Sequence, residues 1–247
     1  MITAKTHLGA VERHGITEQA GAAAEPTSAG RVNAAYQAIK EAIRNNIFPP
    51  GYQAAEVDIA RQLGMSRTPV HEAMARLQED GLVRILPKKG ILICALSPAD
   101  IADIYEVIIA LEGAAAQRLA GLPEDQRLSI TDRLQTATDD MQNTLDRDDL
   151  AAWALADAQF HETLVEMSGN RRLMRMAGTV ADQLHRARMF TLNLRPLPTT
   201  SAADHQAIID AIGAGDADAA SRAARKHRQH ARDALLPLIE KLNLRNL

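Results

Sequence analysis

The chain has 247 residues, enough for one or two domains with buried cores. Its single cysteine, Cys94, excludes an intrachain disulfide framework and suits a reducing cytoplasm. No apolar run approaches the length of a bilayer span and the N-terminus lacks a long apolar core, so we expect a cytoplasmic protein without a membrane partner. Residues 31–95 carry nine Lys and Arg against six Asp and Glu, whereas residues 96–247 carry seventeen against twenty-two. This division indicates a basic module joined to an acidic one.

The first predicted elements are a tail and a helix. Residues 1–30 are rich in Ala, Gly, Thr and Ser without a sustained apolar period, which predicts a flexible N-terminal tail. Apolar side chains then recur at helical spacing and predict a helix over residues 32–46, which ends before Pro49-Pro50-Gly51. The apolar positions of this helix are Val32, Tyr36, Ile39 and Ile43.

Two further helices are predicted in close succession. A short amphipathic segment over residues 56–63 ends at Gly64, and Ser66 can cap a second helix that stops near Gly81. The second helix is predicted to bury one stripe, formed by Val70, Ala73, Met74 and Leu77. Its exposed face is predicted to carry Arg67, Thr68, His71 and Gln78. This is helix-turn-helix spacing, and the first turn presents hydrogen-bond donors suited to base edges and phosphates in a major groove.

A small β-hairpin, or wing, is predicted after these helices. Two short apolar runs, residues 82–86 and 91–94, are joined by Pro87-Lys88-Lys89-Gly90, a turn with two cations at its tip. An ordinary surface helix beside an ordinary hairpin would explain either half alone. Together, in this order and with a basic tip, the two halves favour DNA binding.

Residues 35–95 resemble the winged helix of GntR-family bacterial transcription regulators. The resemblance is carried by Pro49-Pro50-Gly51, Ser66-Arg67-Thr68-Pro69-Val70, Gly81-Leu82-Val83 and Gly90. It implies a winged helix-turn-helix domain over residues 31–95 with DNA contacts from the recognition helix and, in the minor groove, from the wing. The residues so implied are Ser66, Arg67, Thr68, His71, Lys88, Lys89 and Gly90. The family usually has Arg where His71 stands, and often Arg where Val57 stands, so the operator preference is expected to differ.

No segment after Ala95 reads as a strand. Ser97-Pro98-Ala99-Asp100 starts a helix with a cap, a first-turn proline and an acidic first turn. Helices are predicted at about residues 98–120, 124–146, 148–167, 171–190, 200–213 and 216–242. The expected fold is therefore mainly α, with an N-terminal winged helix-turn-helix that includes a small β-hairpin and a C-terminal all-α helical bundle over residues 98–247.

The predicted bundle contains residues with metal-ligand spacing. Asp157 and His161 are four apart on one helix, so both can reach one ion, while His205 and His227 lie on two further helices. Three imidazoles and one carboxylate suit Zn²⁺, with Ni²⁺, Mn²⁺ or Fe²⁺ also possible. A solvated face or a satisfied core pair is the other explanation of Asp-x-x-x-His. His230 could compete for the ion, but we expect it at the surface.

Residues 98–245 resemble the FCD effector-binding domain of the FadR-like branch of the same family. The resemblance is carried by residues 157–162, 168–170, 204–208, 215–217 and 223–227. In metal-binding members of that branch, residues at the positions of Asp157, His161, His205 and His227 hold the ion. The resemblance implies a small organic acid that reaches the ion with its carboxylate inside the bundle.

Three residues of one predicted helix could bind further oxygens of this effector. They are His185, Arg186 and Arg188, although surface placement is the alternative for each. The branch commonly has Arg four residues before the position of Glu112, where this chain has Ile108. One expected anion contact is therefore missing, which favours a smaller, less charged or differently oriented effector.

The two resemblances together imply a homodimeric, ligand-responsive regulator that binds double-stranded operator DNA, and we expect a repressor. One alternative is a helical metal-dependent hydrolase with an accessory DNA-binding domain. Such an enzyme also needs a general base and a transition-state clamp, and the sequence near the four ligands offers neither. Another alternative is an architectural DNA-binding protein whose metal is purely structural.

Overall fold

The computed structural model describes residues 27–194 and 197–241. The tail predicted over residues 1–30 lies outside the described residues as far as residue 26. Its last residues are helical, because the first helix begins at Ser28 rather than at Val32. The hydroxyl oxygen of Thr27 caps this helix by accepting a hydrogen bond from the Gly30 backbone N–H at 3.2 Å.

Nine α-helices and three strands make up the described residues. In chain order they are α1 (Ser28–Arg44), β1 (Gln53–Ala54), α2 (Glu56–Gln62), α3 (Arg67–Glu79), β2 (Val83–Leu86), β3 (Gly90–Ile93), α4 (Pro98–Ala120), α5 (Glu124–Leu145), α6 (Leu150–Met167), α7 (Arg171–Thr191), α8 (Ser201–Ala214) and α9 (Ala217–Lys241). No helix within the described ranges is long and apolar enough to cross a membrane. The mainly α fold with an N-terminal winged helix-turn-helix and a helical bundle is confirmed.

The winged half of the molecule, residues 27–95, has its own core. Helices α1 and α3 pack against each other, and the predicted stripe of α3 is fully buried between them. The sheet is antiparallel in the order β1-β3-β2, with Ile85 opposite Ile91 in the hairpin and Ala54 opposite Ile91 on the other side. Strand β1 has no counterpart in the sequence prediction, because two residues are too few to show an alternating pattern.

Helix α3 begins and ends where its predicted cap and exit residues stand, but the predicted capping hydrogen bond of Ser66 is not formed in the described part of the chain. Gly81 adopts a φ of +71°, which suits the exit from the helix. Ser66 stands at the N-cap, but its side chain makes no capping hydrogen bond within the described residues. The Ser66 hydroxyl is exposed and therefore remains open to a partner outside the chain.

The helical half, residues 96–241, is built around α4, which packs against α6, α7, α8 and α9. Helix α4 starts with the predicted cap, and the structure makes it a capping box: the Ser97 hydroxyl oxygen accepts from the Asp100 N–H, and the Asp100 carboxylate accepts from the Ser97 N–H. The six bundle helices begin and end within two residues of their predicted bounds. The predicted break at residues 195–198 and the predicted domain end at residues 242–247 lie partly or wholly outside the described residues.

Helix α7 connects the two halves. The ammonium of Lys40 on α1 lies 2.5 Å from Asp182 on α7, and Arg44 Nη1 lies 3.6 Å from the other oxygen of the same carboxylate. Close by, the Gln183 side chain donates a hydrogen bond to the backbone carbonyl of Asp80, just after α3, at 3.1 Å. These polar contacts fix the position of α1 and α3 relative to the bundle.

Candidate functional site

The first turn of α3 presents polar side chains to solvent. Arg67, Thr68 and His71 are all exposed, while the residues between them belong to the buried stripe or flank it. Gln78 near the other end of the helix is also exposed, but its carbonyl oxygen accepts a hydrogen bond from the Ile85 backbone N–H at 2.8 Å. Gln78 thus ties the helix to the wing, while Arg67, Thr68 and His71 present exposed polar groups in the first turn.

A carboxylate that the sequence analysis did not single out adjoins these donors. Glu56, the first residue of α2, places both oxygens 3.0 Å from His71 Nδ1 and one oxygen 3.9 Å from Arg67 Nε. The Glu56 side chain is mostly buried, whereas those of Arg67 and His71 are about three-quarters and two-thirds exposed. Glu56 therefore orients the two donors and also adds a negative charge beside them.

At the wing tip, the backbone at Gly90 lies very close to the backbone of β1. Lys88 and Lys89 are exposed, and Lys88 has a φ of +61°. Gly90 has a φ of +87°, and a Cβ there would lie 2.2 Å from the carbonyl oxygen of Ala54 in β1. Only glycine fits this position. The Gln53 amide donates to the Lys89 carbonyl at 2.9 Å, so the tip is held while its two ammonium groups stay in solvent.

The four predicted metal ligands converge inside the bundle. One ligand atom from each of Asp157, His161, His205 and His227 lies within 4.8 Å of all the others, and all four side chains are buried. His227 Nε2 lies 3.1 Å from His161 Nε2 and 3.3 Å from His205 Nε2. The carboxylate of Asp157 lies 3.8 Å from His161 Nε2 and 3.7 Å from His205 Nε2. Helices α6, α8 and α9 supply these four residues.

The spacing and charge of this set fit a divalent cation. Imidazole nitrogens about 2.0–2.1 Å from a zinc ion are about 3.3 Å apart in a tetrahedron, close to the separations seen here. Burial lowers the pKa of His205 well below its usual range, and His227 and His161 beside it lower it further. Burial also lowers the pKa of His227. These two imidazoles are therefore neutral at pH 7, which is the form that binds metals.

Buried ion pairs surround the ligands. Glu112 on α4 lies 3.0 Å from His161 Nδ1 and accepts hydrogen bonds from Arg228 at 2.5 and 2.8 Å. Burial would raise the pKa of Asp157, but Arg188, which pairs with this carboxylate, and His161 hold it well below its usual value. A carboxylate on the far nitrogen of a ligating histidine fixes its tautomer and turns the other nitrogen to the ion.

The pair of Glu112 and Arg228 could have been found in the sequence by its position. The buried face of α4 contains Ile101, Ile104, Ile108 and Ile109 at helical spacing, and Glu112 continues the same face. A carboxylate on an apolar stripe needs a buried partner, because an unpaired charge in a core is costly. Arg228 is that partner, and its neighbour in sequence is the candidate ligand His227.

A cavity of about 290 Å³ adjoins the convergent set, of which His161 lines it. His161, Glu112, His185 and Arg188 line it, and Ile108 contributes an apolar patch. Its size is near the lower end for small-molecule sites. The lining also includes Lys40 and Arg44 of α1, so the cavity lies between the two halves of the molecule.

Two of the three predicted effector residues line this cavity and the third does not. His185 and Arg188 are three apart on α7 and share one helix face, whereas Arg186 points elsewhere. Arg186 is buried, and its Nε and Nη1 have no hydrogen-bond partner in the described residues. Burial lowers the pKa of Arg186.

His185 and His230 differ in exposure. His185 is buried, and burial first, then Arg188 and Arg44, lowers its pKa to about 4. His185 is therefore neutral at pH 7 and can donate or accept one hydrogen bond at each nitrogen. His230 is about half exposed and lies 2.9 Å from Asp204 by its Nδ1, outside the convergent set.

Models of two known families match the chain. Residues 31–93 match bacterial regulatory proteins of the gntR family, and residues 103–230 match the FCD domain. An HTH-type transcriptional regulator in the TAR-I ttuE-ttuC' intergenic region of Agrobacterium vitis is 68% identical over 150 residues, which cover 61% of this chain and 86% of that protein. The HTH-type transcriptional repressor RspR of Escherichia coli K12 is 25% identical over 195 residues, which cover 78% and 84% of the two chains.

Solved structures show the same fold. The crystal structure of a transcriptional regulator GntR from Rhodococcus sp. RHA1 superposes with a TM-score of 0.69 at 24% identity. The superposition covers 84% of this chain and 98% of that one. The winged helix and the helical bundle therefore occur together in the same order in a related chain.

Proposed function

The chain belongs to the GntR family of bacterial regulatory proteins and carries an FCD domain, and from that premise we propose that a small organic acid, anchored at a metal ion in the bundle, controls its binding to operator DNA. The protein is a DNA-binding transcriptional regulator of the GntR and FCD type. Its family and its relatives are transcriptional regulators, not enzymes, so the hydrolase alternative has no support.

The convergence of Asp157, His161, His205 and His227 next to a cavity that His161 lines is the observation that carries this proposal. Three imidazoles and a carboxylate suit Zn²⁺ best, and Ni²⁺ or Mn²⁺ are the next candidates. When bound, the ion supplies a Lewis-acidic anchor for a carboxylate oxygen. A purely structural ion would need no cavity beside it.

The residues of the cavity wall orient the acid. Arg188 offers guanidinium donors that the Asp157 carboxylate does not use up, and His185 offers a neutral imidazole beside it. Ile108 excludes water on the α4 side and adds no charge. We infer that the acid is small, since the cavity holds about 290 Å³.

The winged half is proposed to read DNA as one arm of a homodimer. Residues 31–95 would form the DNA-binding domain and residues 98–247 the effector and dimerisation domain. In each subunit the first turn of α3 enters the major groove and the wing tip the minor groove, so that two subunits read two half-sites. The proposed contacts are Ser66, Arg67, Thr68, His71, Lys88, Lys89 and Gly90.

The regulator is proposed to act as a repressor that the effector releases from DNA. Release requires that the acid bind one arrangement of the two halves better than the other, because only differential affinity shifts an equilibrium. The contacts of Lys40, Arg44 and Gln183 across the junction are the parts of the molecule that can differ between such arrangements.

Thermal unfolding of the full chain tests the sensor. The protein loaded with Zn²⁺ is heated with each member of a panel of small carboxylic acids, and each stabilising acid is tested again after chelation and in His161→Ala. His230→Ala serves as the matched control, because it removes an imidazole of the same bundle that lies outside the convergent set.

An acid that stabilises only the metal-loaded wild type and His230→Ala supports the proposed function. Stabilisation that survives both chelation and His161→Ala would show that the metal has only a structural role. No stabilisation by any acid would contradict the sensor and leave the DNA-binding assignment in place.

A further inference from the structure

The effector cavity has a wall that belongs to the DNA-binding half. Lys40 and Arg44, one turn apart on α1, line the cavity together with residues of α4, α6, α7 and α9. Their side chains are only about one-fifth and one-quarter exposed. A ligand in this cavity therefore contacts the DNA-binding half directly, across the junction.

The side chains of this wall have unused hydrogen-bonding capacity. The Nε of Arg44 and the Nδ1 of His185 are buried, and neither has a hydrogen-bond partner among the described residues. Arg188, His185 and Arg44 all line the cavity, and the charges of Arg188 and Arg44 both lower the pKa of His185. Arg188 pairs with the candidate ligand Asp157, whereas Arg44 belongs to the DNA-binding half, so the cavity is lined by cations from both sides of the junction.

One carboxylate already lies at the end of the cavity that the DNA-binding half lines. Asp182 is buried and pairs with Lys40 and Arg44. Burial raises the pKa of Asp182 in spite of these two cations, so the ionised form is poorly stabilised where it stands. Lys40 and Arg44 at the far end of the cavity thus already hold one carboxylate, that of Asp182.

The other carboxylates of the lining do not compete for the same cations. Glu112 is taken up by Arg228 in a buried ion pair with two hydrogen bonds. Glu162 and Glu166 are exposed on α6, where solvent screens their charges. Lys40 and Arg44 consequently have Asp182 as their only ion-pair partner among the described residues.

We propose that Lys40 and Arg44 form a second anion subsite, so that the effector is an organic diacid with one carboxylate at the metal end and the other on the DNA-binding half. This inference rests on the proposed function of the cavity. The second carboxylate takes over the cations that Asp182 holds in the free protein. Ligand binding thereby changes the contacts of α1, which packs on the recognition helix α3.

Matched acids test the subsite by isothermal titration calorimetry on the Zn²⁺-loaded full chain. Butyrate is compared with succinate, and hexanoate with adipate, because each pair has the same number of carbons and differs in the second carboxylate. We expect at least one diacid to bind about tenfold or more tightly than its monoacid, as a charge-assisted hydrogen bond can provide.

Three substitutions separate a subsite from a structural role. Lys40→Gln and Arg44→Gln should each remove most of the diacid advantage and leave the monoacid Kd unchanged. Asp182→Asn should strengthen diacid binding severalfold, because it removes the competing carboxylate. A merely structural ion pair would weaken binding when either partner is removed, so the opposite signs identify the subsite. Arg61→Gln, an equal loss of charge at an exposed position of α2, is the control.

The outcomes distinguish this inference from the proposed function. Metal-dependent binding of monoacids with no diacid advantage, or an advantage that both Lys40→Gln and Arg44→Gln leave intact, overturns the second subsite alone. Absence of metal-dependent binding in both series overturns the proposed function and the subsite with it. If Lys40→Gln fails to fold, Arg44→Gln and Asp182→Asn still give the two opposite shifts.

Discussion

The DNA-facing surface and the interior of the bundle use charge in opposite ways. Arg67 and His71 are mostly exposed and share one carboxylate, that of Glu56, at longer or weaker contacts. Glu112 and Arg228 are almost fully buried and hold each other by two hydrogen bonds. Exposed pairs contribute about 0–1 kcal/mol to stability, whereas removal of one partner of a buried pair costs several. Substitutions on the surface can therefore alter DNA contacts without loss of stability. In the interior, one member of an ion pair cannot be removed without destabilising the fold.

Removal of one buried charge should test this contrast most strongly. Glu112→Gln leaves Arg228 buried without a counter-ion, and we expect a loss of about 3 to 5 kcal/mol in the free energy of unfolding. Denaturant unfolding of the metal-free protein measures it. Glu106→Gln, on the exposed side of the same helix, should stay within about 0.5 kcal/mol of wild type. Equal effects of the two substitutions would contradict the contrast.

The pH dependence of Glu112 has a definite sign. Burial alone would raise its pKa, but Arg228 and His161 lower it well below the usual value. Its contribution to stability is thus complete above the pKa of an unfolded carboxyl, about 4.3, and is lost as the pH falls through the lower folded value. The difference in unfolding free energy between wild type and Glu112→Gln should therefore shrink as the pH is lowered below about 4. A difference that grows on acidification would contradict this sign.

Zn²⁺ affinity should distinguish the buried, convergent histidines from the half-exposed His230. His205→Ala removes a ligand and should lower Zn²⁺ affinity by about 100-fold or more, since even substitutions around a metal site cost 10- to 100-fold. Competition with a chromophoric chelator measures the affinity. His230→Ala should leave it within a few-fold. Comparable losses in both variants would show that burial and convergence do not define the site.

On the proposed DNA-contacting surface of the protein, a single substitution should weaken operator binding without lowering the stability of the fold. Arg67→Ala should weaken operator binding by about 1 to 3 kcal/mol if it reads a guanine edge, with an unchanged melting temperature. The operator is selected from random DNA, and affinity is measured by fluorescence anisotropy at fixed salt. Arg147→Ala, an exposed arginine of the helical half, is the control. Unchanged affinity in Arg67→Ala would remove this residue from the contact set.

The smallest expected effect concerns the carboxylate beside the recognition helix. Glu56→Gln removes a negative charge that faces Arg67 and His71, so operator affinity should rise by a few-fold, or about 0.5 to 1 kcal/mol. Glu79→Gln, at the other end of α3, should change it less. Weaker binding in Glu56→Gln would instead show that the carboxylate is needed to orient the two donors.

The elements that local sequence rules describe agree with the structure. The cap at Ser97 and Asp100, the exit at Gly81 and the apolar period of α3 each depend on residues within one or two turns of one another. Residue type and helical spacing made Asp157, His161, His205 and His227 candidate ligands, and the resemblance to a known domain strengthened that prediction. Their convergence depends on how α6, α8 and α9 pack.

The remaining features depend on contacts between distant segments. Lys40 meets Asp182, and Gln183 meets Asp80, although more than one hundred residues separate the members of each pair. Local pattern carries no information about such pairs, so the second wall of the cavity could not be predicted. Arg186 was predicted to bind the effector but does not line the cavity, because helical spacing alone did not reveal which residues of α7 face it.

Operator affinity with and without the acid tests the central claim most directly. The Zn²⁺-loaded full chain is titrated onto its selected operator in the presence and absence of the acid that stabilises it most. Allosteric coupling of about 1 to 3 kcal/mol predicts a 5- to 150-fold weaker affinity with the acid, and the change should vanish after chelation and in His161→Ala. The same affinity with and without a bound acid would contradict the account.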